Sequence, residues 1–133
     1  MPLTIEQSVR ARLITSAGPE PAVRVQLRYD SADPVAIHLV FPPEVSLDGR
    51  PVPWTFARDL LEAGLRAPSG TGDVHIWPCG RAQTVIEFRV PHGAALVQID
   101  TAPLRRFLLR SYAVIAPGDE TVDFDLCALL RDA

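Results

Sequence analysis

Apolar and polar residues alternate along the first quarter of the chain. Between Ser8 and Thr15, Val9, Ala11 and Leu13 share one parity while Arg10 and Arg12 take the other. Between Ala22 and Tyr29, Val23, Val25, Leu27 and Tyr29 oppose Arg24, Gln26 and Arg28. A period of two places successive side chains on opposite faces of a strand, so both segments read as strands with one apolar and one wet face. The turn-rich connector Ser16-Ala17-Gly18-Pro19-Glu20-Pro21 joins them as an antiparallel hairpin with four arginines on its wet face. Asp30-Ser31-Ala32-Asp33-Pro34 is a second turn, built from short side chains that bond nearby backbone and a proline of fixed φ. A third strand, Ala36–Phe41, sets Ile37, Leu39 and Phe41 against His38 and ends at Pro42-Pro43. After the Asp48-Gly49 turn, a fourth runs over Val52–Phe56, with Trp54 and Phe56 on one side.

The period then lengthens. Leu60, Leu61 and Leu65 fall at helical spacing, and Gly64 and Pro68 stop the helix. Ser69-Gly70-Thr71-Gly72-Asp73 is a reversal requiring positive φ. Strands follow at Val74–Trp77, Thr84–Val90 and Ala94–Ile99, separated by turns at Cys79–Ala82 and Pro91-His92-Gly93. A second helix has Thr101 as its expected cap and Pro103 in its first turn. Its apolar stripe is Leu104, Phe107, Leu108, Ser111, Tyr112 and Ile115, with Arg105, Arg106 and Arg110 outside. Ala116–Glu120 breaks it, and a short terminal helix is expected over Phe124–Arg131. The order ββββα followed by βββαα describes an α+β domain with an antiparallel sheet. No strand-borne glycine fingerprint accompanies it, which excludes a dinucleotide fold.

Length and charge narrow the classes. One domain spanning 1–133 is expected, able to bury roughly two-thirds of its unfolded surface without metal or disulfide. Hydrophobic content of 47% and charged content of 22% are those of an ordinary globular protein. A net charge of −3 is a poor match for a nucleic-acid binder. No window approaches the roughly 18 apolar residues that would span a membrane, and the N-terminus lacks the basic start and apolar core of a secretory signal. Cys79 and Cys127 give no framework and read as reduced thiols.

The search for catalytic chemistry is negative. Asp30, Asp33 and Asp73 sit in or beside turns, and Asp59 lies in a first helical turn where the dipole favours a carboxylate. His38, His75 and His92 form no ligand pair, and Asp73-x-His75 alone does not make a metal site. No glycine-flanked serine elbow is present, and Gly70-x-Gly72 lacks the lysine of a phosphate loop. No enzyme, metal or cofactor is expected. Two residue classes remain. Trp54, Phe56 and Trp77 either fill the core between helix and sheet or anchor a partner. The candidate interaction surface is Arg10, Arg12, Arg24, Arg28, Arg58, Arg105, Arg106 and Arg110. The strand arginines form a solvated face, a protomer contact or a nucleic-acid groove, although Tyr29 points away from them. Arg58-Asp59 could equally be an internal ion pair.

An ordered set of blocks carries a family resemblance. Leu27-Arg28-Tyr29-Asp30 and Ala32-Asp33-Pro34 come first. Trp54, Phe56, Ala57, Arg58, Asp59, Leu60, Leu61, Gly64 and Leu65 follow. Gly70, Gly72, Asp73, Val74, Trp77 and Pro78 complete the set, with a weaker echo at Phe124-Asp125-Leu126. In these blocks the chain resembles the SsgA/SsgB-like family of sporulation and cell-division proteins of actinobacteria. Thirteen basic residues, all arginine, agree with the codon usage of a GC-rich actinobacterial genome. The resemblance implies a partly barrel-like antiparallel sheet with helices outside, similar in plan to Whirly-type single-strand-binding proteins. It also implies a homo-oligomer, expected to be a trimer, that acts in the cytoplasm at division septa. The implied role is a non-enzymatic regulator of sporulation-specific cell division, in contact with the division protein FtsZ or another SsgA-like protein. The alternative is a single-stranded nucleic-acid-binding module on a Whirly-like scaffold. Phe41–Pro53 is proline-rich with its own character, and the first ten residues and Gly80–Thr101 match only in pattern, so no paralogue is assigned.

Overall fold

The computed structural model describes residues 2–43, 49–91 and 93–120. The alternating segments are strands: β1 (Thr4–Thr15), β2 (Gly18–Pro19), β3 (Val23–Asp30), β4 (Ala36–Phe41) and β5 (Val52–Ala57). Helix α1 (Arg58–Gly64) follows, then β6 (Val74–Cys79), β7 (Gln83–Val90), β8 (Gly93–Asp100) and α2 (Thr101–Val114). All pairing is antiparallel, in the order β5-β4-β3-β1-β8-β7-β6, with β2 folded back on the end of β1. The expected terminal helix at Phe124–Arg131, the echo at Phe124-Asp125-Leu126, Cys127, His92 and Asp48 lie outside the described residues.

The sheet is a curled half-barrel. Trp54 of β5 and Phe88 of β7 stand far apart in strand order, yet their ring centroids are 4.4 Å apart. Phe41 and Phe56 approach the same ring at 6.3 and 6.4 Å. Only a strongly curled sheet brings these rings together, and the twist of β-strands supplies the hand. The core lies against the inner face, where Val9, Val25, Leu27, Leu39, Ile86 and Val97 meet Leu104, Phe107 and Leu108 of α2. Of the stripe expected on α2, Leu104, Phe107, Leu108 and Ser111 are buried and Tyr112 half-buried, but Ile115 lies past the helix end in extended backbone.

β1 is the hinge of the sheet. It pairs with β3 over Thr4–Ala11 but with β8 only over Ala11–Ile14. The strands fork at Ala11, and α2 fills the fork. Gln7 Nε2 donates to the Pro103 carbonyl at 2.9 Å, and Arg110 Nη1 donates to Gln7 Oε1 at 3.0 Å. β1 begins four residues before the alternation predicts, because only Ile5 among them is apolar, and its partner Tyr29 on β3 fixes the register.

Two local expectations are corrected. Thr101 is the first helical residue rather than the cap, which is Asp100. The Thr101 hydroxyl instead pairs with that of Thr84 at 2.7 Å in the interior. Gly64 does end α1, but its φ is not positive. A Cβ there would stand 2.4 Å from the Ile76 side chain, so glycine lets α1 lie directly on β6. At the reversal, Gly70 has φ +122° and Gly72 does not need a positive φ.

Candidate interaction surface

Trp54, Phe56 and Arg58 share one parity. The inward step of β5 continues past its end, so the first residue of α1 enters the core with the rings before it. Arg58 is fully buried. It does not belong to the interaction surface, and Asp59 is exposed rather than its ion-pair partner. The guanidinium meets the C-terminus of α2, donating from Nη1 to the carbonyls of Ser111 at 3.1 Å and Ile115 at 2.7 Å. Nη2 reaches the Ala116 carbonyl at 3.4 Å and the Glu120 carboxylate at 3.3 Å. The last carbonyls of a helix lack intrahelical donors and carry the negative end of its dipole, so a cation here answers both needs.

Tyr29 and Tyr112 flank the guanidinium, each ring centroid 4.9 Å from it. A planar cation held between aromatic faces is favoured by their quadrupoles. The Tyr29 hydroxyl donates to the Pro34 carbonyl at 2.8 Å, and the Arg58 amide donates to the Val35 carbonyl at 2.8 Å. Burial raises the pKa of the Tyr29 hydroxyl. Burial and the Glu62 carboxylate, which accepts its hydrogen bond at 2.8 Å, raise that of Tyr112. Glu120 behaves oppositely. Burial disfavours its charge, but the backbone N–H groups of Gly118 and Glu120, with Arg58, outweigh this and hold the carboxyl below its ordinary value. The blocks Leu27–Pro34 and Trp54–Gly64 thus meet at the end of α2, where they join both helices to the sheet.

The wet face is different. Arg10, Arg12, Arg24 and Arg28 are all exposed on the outer side of β1 and β3. Arg24 stands directly opposite Arg10 in the strand register, and Arg12 opposite Gln98 of β8. Arg28 lies opposite Glu6 and 3.7 Å from Asp30. Arg10 lines two open depressions, of ≈270 and ≈470 Å³, one shared with Arg12 and the other with Arg106 of α2. Asp100 lines both. The fork between β1 and β8 therefore gathers Arg10 and Arg12 of β1 with Arg106 of α2, and Arg24 of β3 stands across from Arg10. Of the other helix arginines, Arg105 lines the groove between α1 and α2, and Arg110 reaches back to Gln7 instead of projecting freely.

Trp77 also belongs to this face. Trp54 and Phe56 enter the core, but Trp77 sits on the outer side of β6, half-exposed and opposite Val85. Its expected place in the core is not observed. The parity of Ile76, which is fully buried, turns Trp77 outward and was readable in the chain. Ile14 and Leu96, paired across β1 and β8, are half-exposed on the same side, separated from Trp77 by Val85 and Glu87 of β7.

The acidic residues stay dispersed. The Asp30 carboxylate accepts from the Ala32 amide at 3.1 Å, and Asp33 lies 3.6 Å from His38. The imidazole of His75 contacts the Gly72 carbonyl at 2.9 Å. Among the described residues, no group of three or more His, Cys, Asp or Glu could hold a metal ion, and no helix is long and apolar enough to cross a membrane.

Comparison with known proteins matches residues 23–120 to the family described as "Streptomyces sporulation and cell division protein, SsgA". The chain belongs to the SsgA family. It is 40% identical to the sporulation-specific cell division protein SsgB of Salinispora tropica, over 94% of this chain and 89% of that one. It is 40% identical to SsgB of Streptomyces coelicolor, over 95% and 92%. A solved structure described as "Mutations in SsgB correlate to longitudinal cell division during sporulation of Streptomyces coelicolor" superposes with a TM-score of 0.78 at 37% identity, covering 90% of this chain and 94% of that one. The crystal structure of an SsgA-like sporulation-specific cell division protein from Thermobifida fusca YX-ER1 gives 0.78 at 33% identity, over 98% and 95%. The SsgA-family likeness thus extends over the curled sheet and both helices.

Proposed function

We propose that this protein regulates sporulation-specific cell division without catalysis, as an oligomeric adaptor that helps position the septal machinery. The support is twofold. Relatives aligned over most of both chains are named sporulation-specific cell division proteins. The outer sheet face carries exposed arginines and half-exposed apolar groups, a make-up that suits macromolecular contact. The observation that carries the reading is the arginine fork on the outer face, where Arg10 stands beside Arg12, Arg24 and Arg106.

The adaptor works by repetition. A homo-oligomer, taken here as a trimer, presents the same face several times, so weak contacts to a polymer such as FtsZ, or to another SsgA-like protein at the septum, gain strength through effective concentration. Septal peptidoglycan remodelling is a second output open to the same scaffold. Light scattering on the purified protein is expected to give a multiple of the 14.5 kDa chain. A strict monomer at high concentration would remove multivalency. Imaging a fluorescent fusion beside labelled FtsZ through sporulation tests the role itself. Foci or ladders that coincide with FtsZ, and form no later than it does, are expected; an even signal with normal septation after deletion rejects the role.

One observation favours a second reading, single-stranded nucleic-acid binding: Trp77 lies on the arginines' side of the sheet. A salt series of oligonucleotide anisotropy distinguishes the readings, since phosphate contacts give a steep salt slope.

A further inference from the structure

We propose that the outer face around the β1–β8 fork docks an acidic protein segment. Its carboxylates would lie against Arg10, Arg12, Arg24 and Arg106, and an apolar side chain against Ile14 and Leu96. This names the partner chemistry of the adaptor and rests on that reading.

Charge is the first argument. Among the described residues, Arg10, Arg12, Arg24 and Arg106 form no ion pair or hydrogen bond, whereas Arg28, Arg58, Arg66 and Arg89 each have a carboxylate within 4 Å. The chain carries more acidic than basic residues, 16 against 13, yet among the described residues Asp100 is the acid that lines the fork. Arg10 and Arg24 are directly opposed, and like charges in that position repel across a strand pair. The free protein thus carries a local electrostatic cost that added carboxylates would remove. Arginine also presents a planar fork of donors matched to carboxylate oxygens.

The surroundings favour a protein segment over a nucleic acid. Single strands are held by successive aromatic platforms along a basic track, but among the described residues Trp77 is the aromatic of this face, and it stands three strands, about 14 Å, from Arg12. Half-exposed Ile14 and Leu96, paired beside Arg12, instead give the arginines an apolar neighbour, as at a protein interface.

The test uses the full chain and a fluorescein-labelled decapeptide of glutamates with a central Leu-Phe pair, followed by anisotropy at low salt. Its counterpart with glutamine in place of glutamate and a single-stranded oligonucleotide of equal charge are titrated alongside. The expected result is saturable binding of the glutamate peptide, weakened roughly tenfold or more by Arg10→Gln with Arg24→Gln, and no binding of the glutamine peptide. The double variant should melt no lower than the parent, because the substitutions relieve repulsion, so lost binding would not reflect lost folding. Absence of peptide binding, equal binding by the variant, or preference for the oligonucleotide would each overturn the proposal. An oligomer that localises to septa but ignores the peptide would overturn only the partner chemistry. A monomer that binds the peptide would overturn the adaptor instead.

Discussion

The same side chain does opposite things on the two sides of one sheet. Inside, Arg58 is fully buried, held between two tyrosine rings, and spends its Nη donors on the end of α2 and on Glu120. Outside, Arg10, Arg12 and Arg24 are exposed and have no carboxylate partner among the described residues. A buried guanidinium is tolerated only where the fold answers its charge, so its removal costs the fold. An exposed, self-repelling group adds nothing to the fold, so what it does is sought in a partner. An arginine's role follows from what surrounds it, and residue type alone does not reveal it.

The largest expected effect comes from breaking the inner side. Arg58→Ala takes the cation from Glu120 and the donor from the Ile115 carbonyl, and should destabilise by ~3–5 kcal/mol. For a chain of this length that lowers the melting temperature by roughly 10–20 °C, measurable by calorimetry. A variant melting within a few degrees of the parent would remove Arg58 from the centre of the fold. Next is Gly64→Ala. Its methyl would stand 2.4 Å from Ile76, and forcing α1 off β6 should cost about 1–3 kcal/mol in denaturant unfolding.

Acid sharpens the comparison further. The Glu120 carboxyl is held below its ordinary value of 4.5 in the folded chain. Its contribution is therefore complete above that value and disappears as pH falls through the lower folded one. Urea midpoints should drop more steeply below about pH 4.5 in the parent than in Glu120→Gln, which should already be the less stable of the two at neutral pH. Identical acid limbs would contradict the role given to this carboxylate. The smallest effect is on the outside. Arg24→Gln removes the repulsion with Arg10 and should leave stability unchanged or raise it by a few tenths of a kcal/mol. A loss above ~1 kcal/mol would mean that the outer arginines serve the fold after all.

Parity explains what could be read from the chain and what could not. Alternation located β3, β4 and β5 almost to the residue and gave the buried stripe of α2, because a half-buried sheet and an amphipathic helix write their periods directly into the sequence. The same rule, carried one residue past β5 from Trp54 and Phe56, turns Arg58 inward. That step was obscured because arginine is rarely buried without a partner, and its partners at Ser111, Ile115 and Glu120 lie more than fifty residues away. Trp77 misled in the other direction, since its size suggests the core while its neighbour Ile76 is the residue that enters it. The meeting of Arg106 with Arg10 at the fork depends on where β1 leaves β8, and no local pattern encodes that point.

The most direct test is complementation of a deletion strain with the chain carrying Arg10→Gln, Arg12→Gln and Arg24→Gln, scoring sporulation septa while measuring how much protein accumulates. The outer face is predicted to serve partner contact alone, so the variant should accumulate to the parent's level and fail to restore regular septa. Parental septation by a variant present at parental level would contradict the assignment of this face to partner contact.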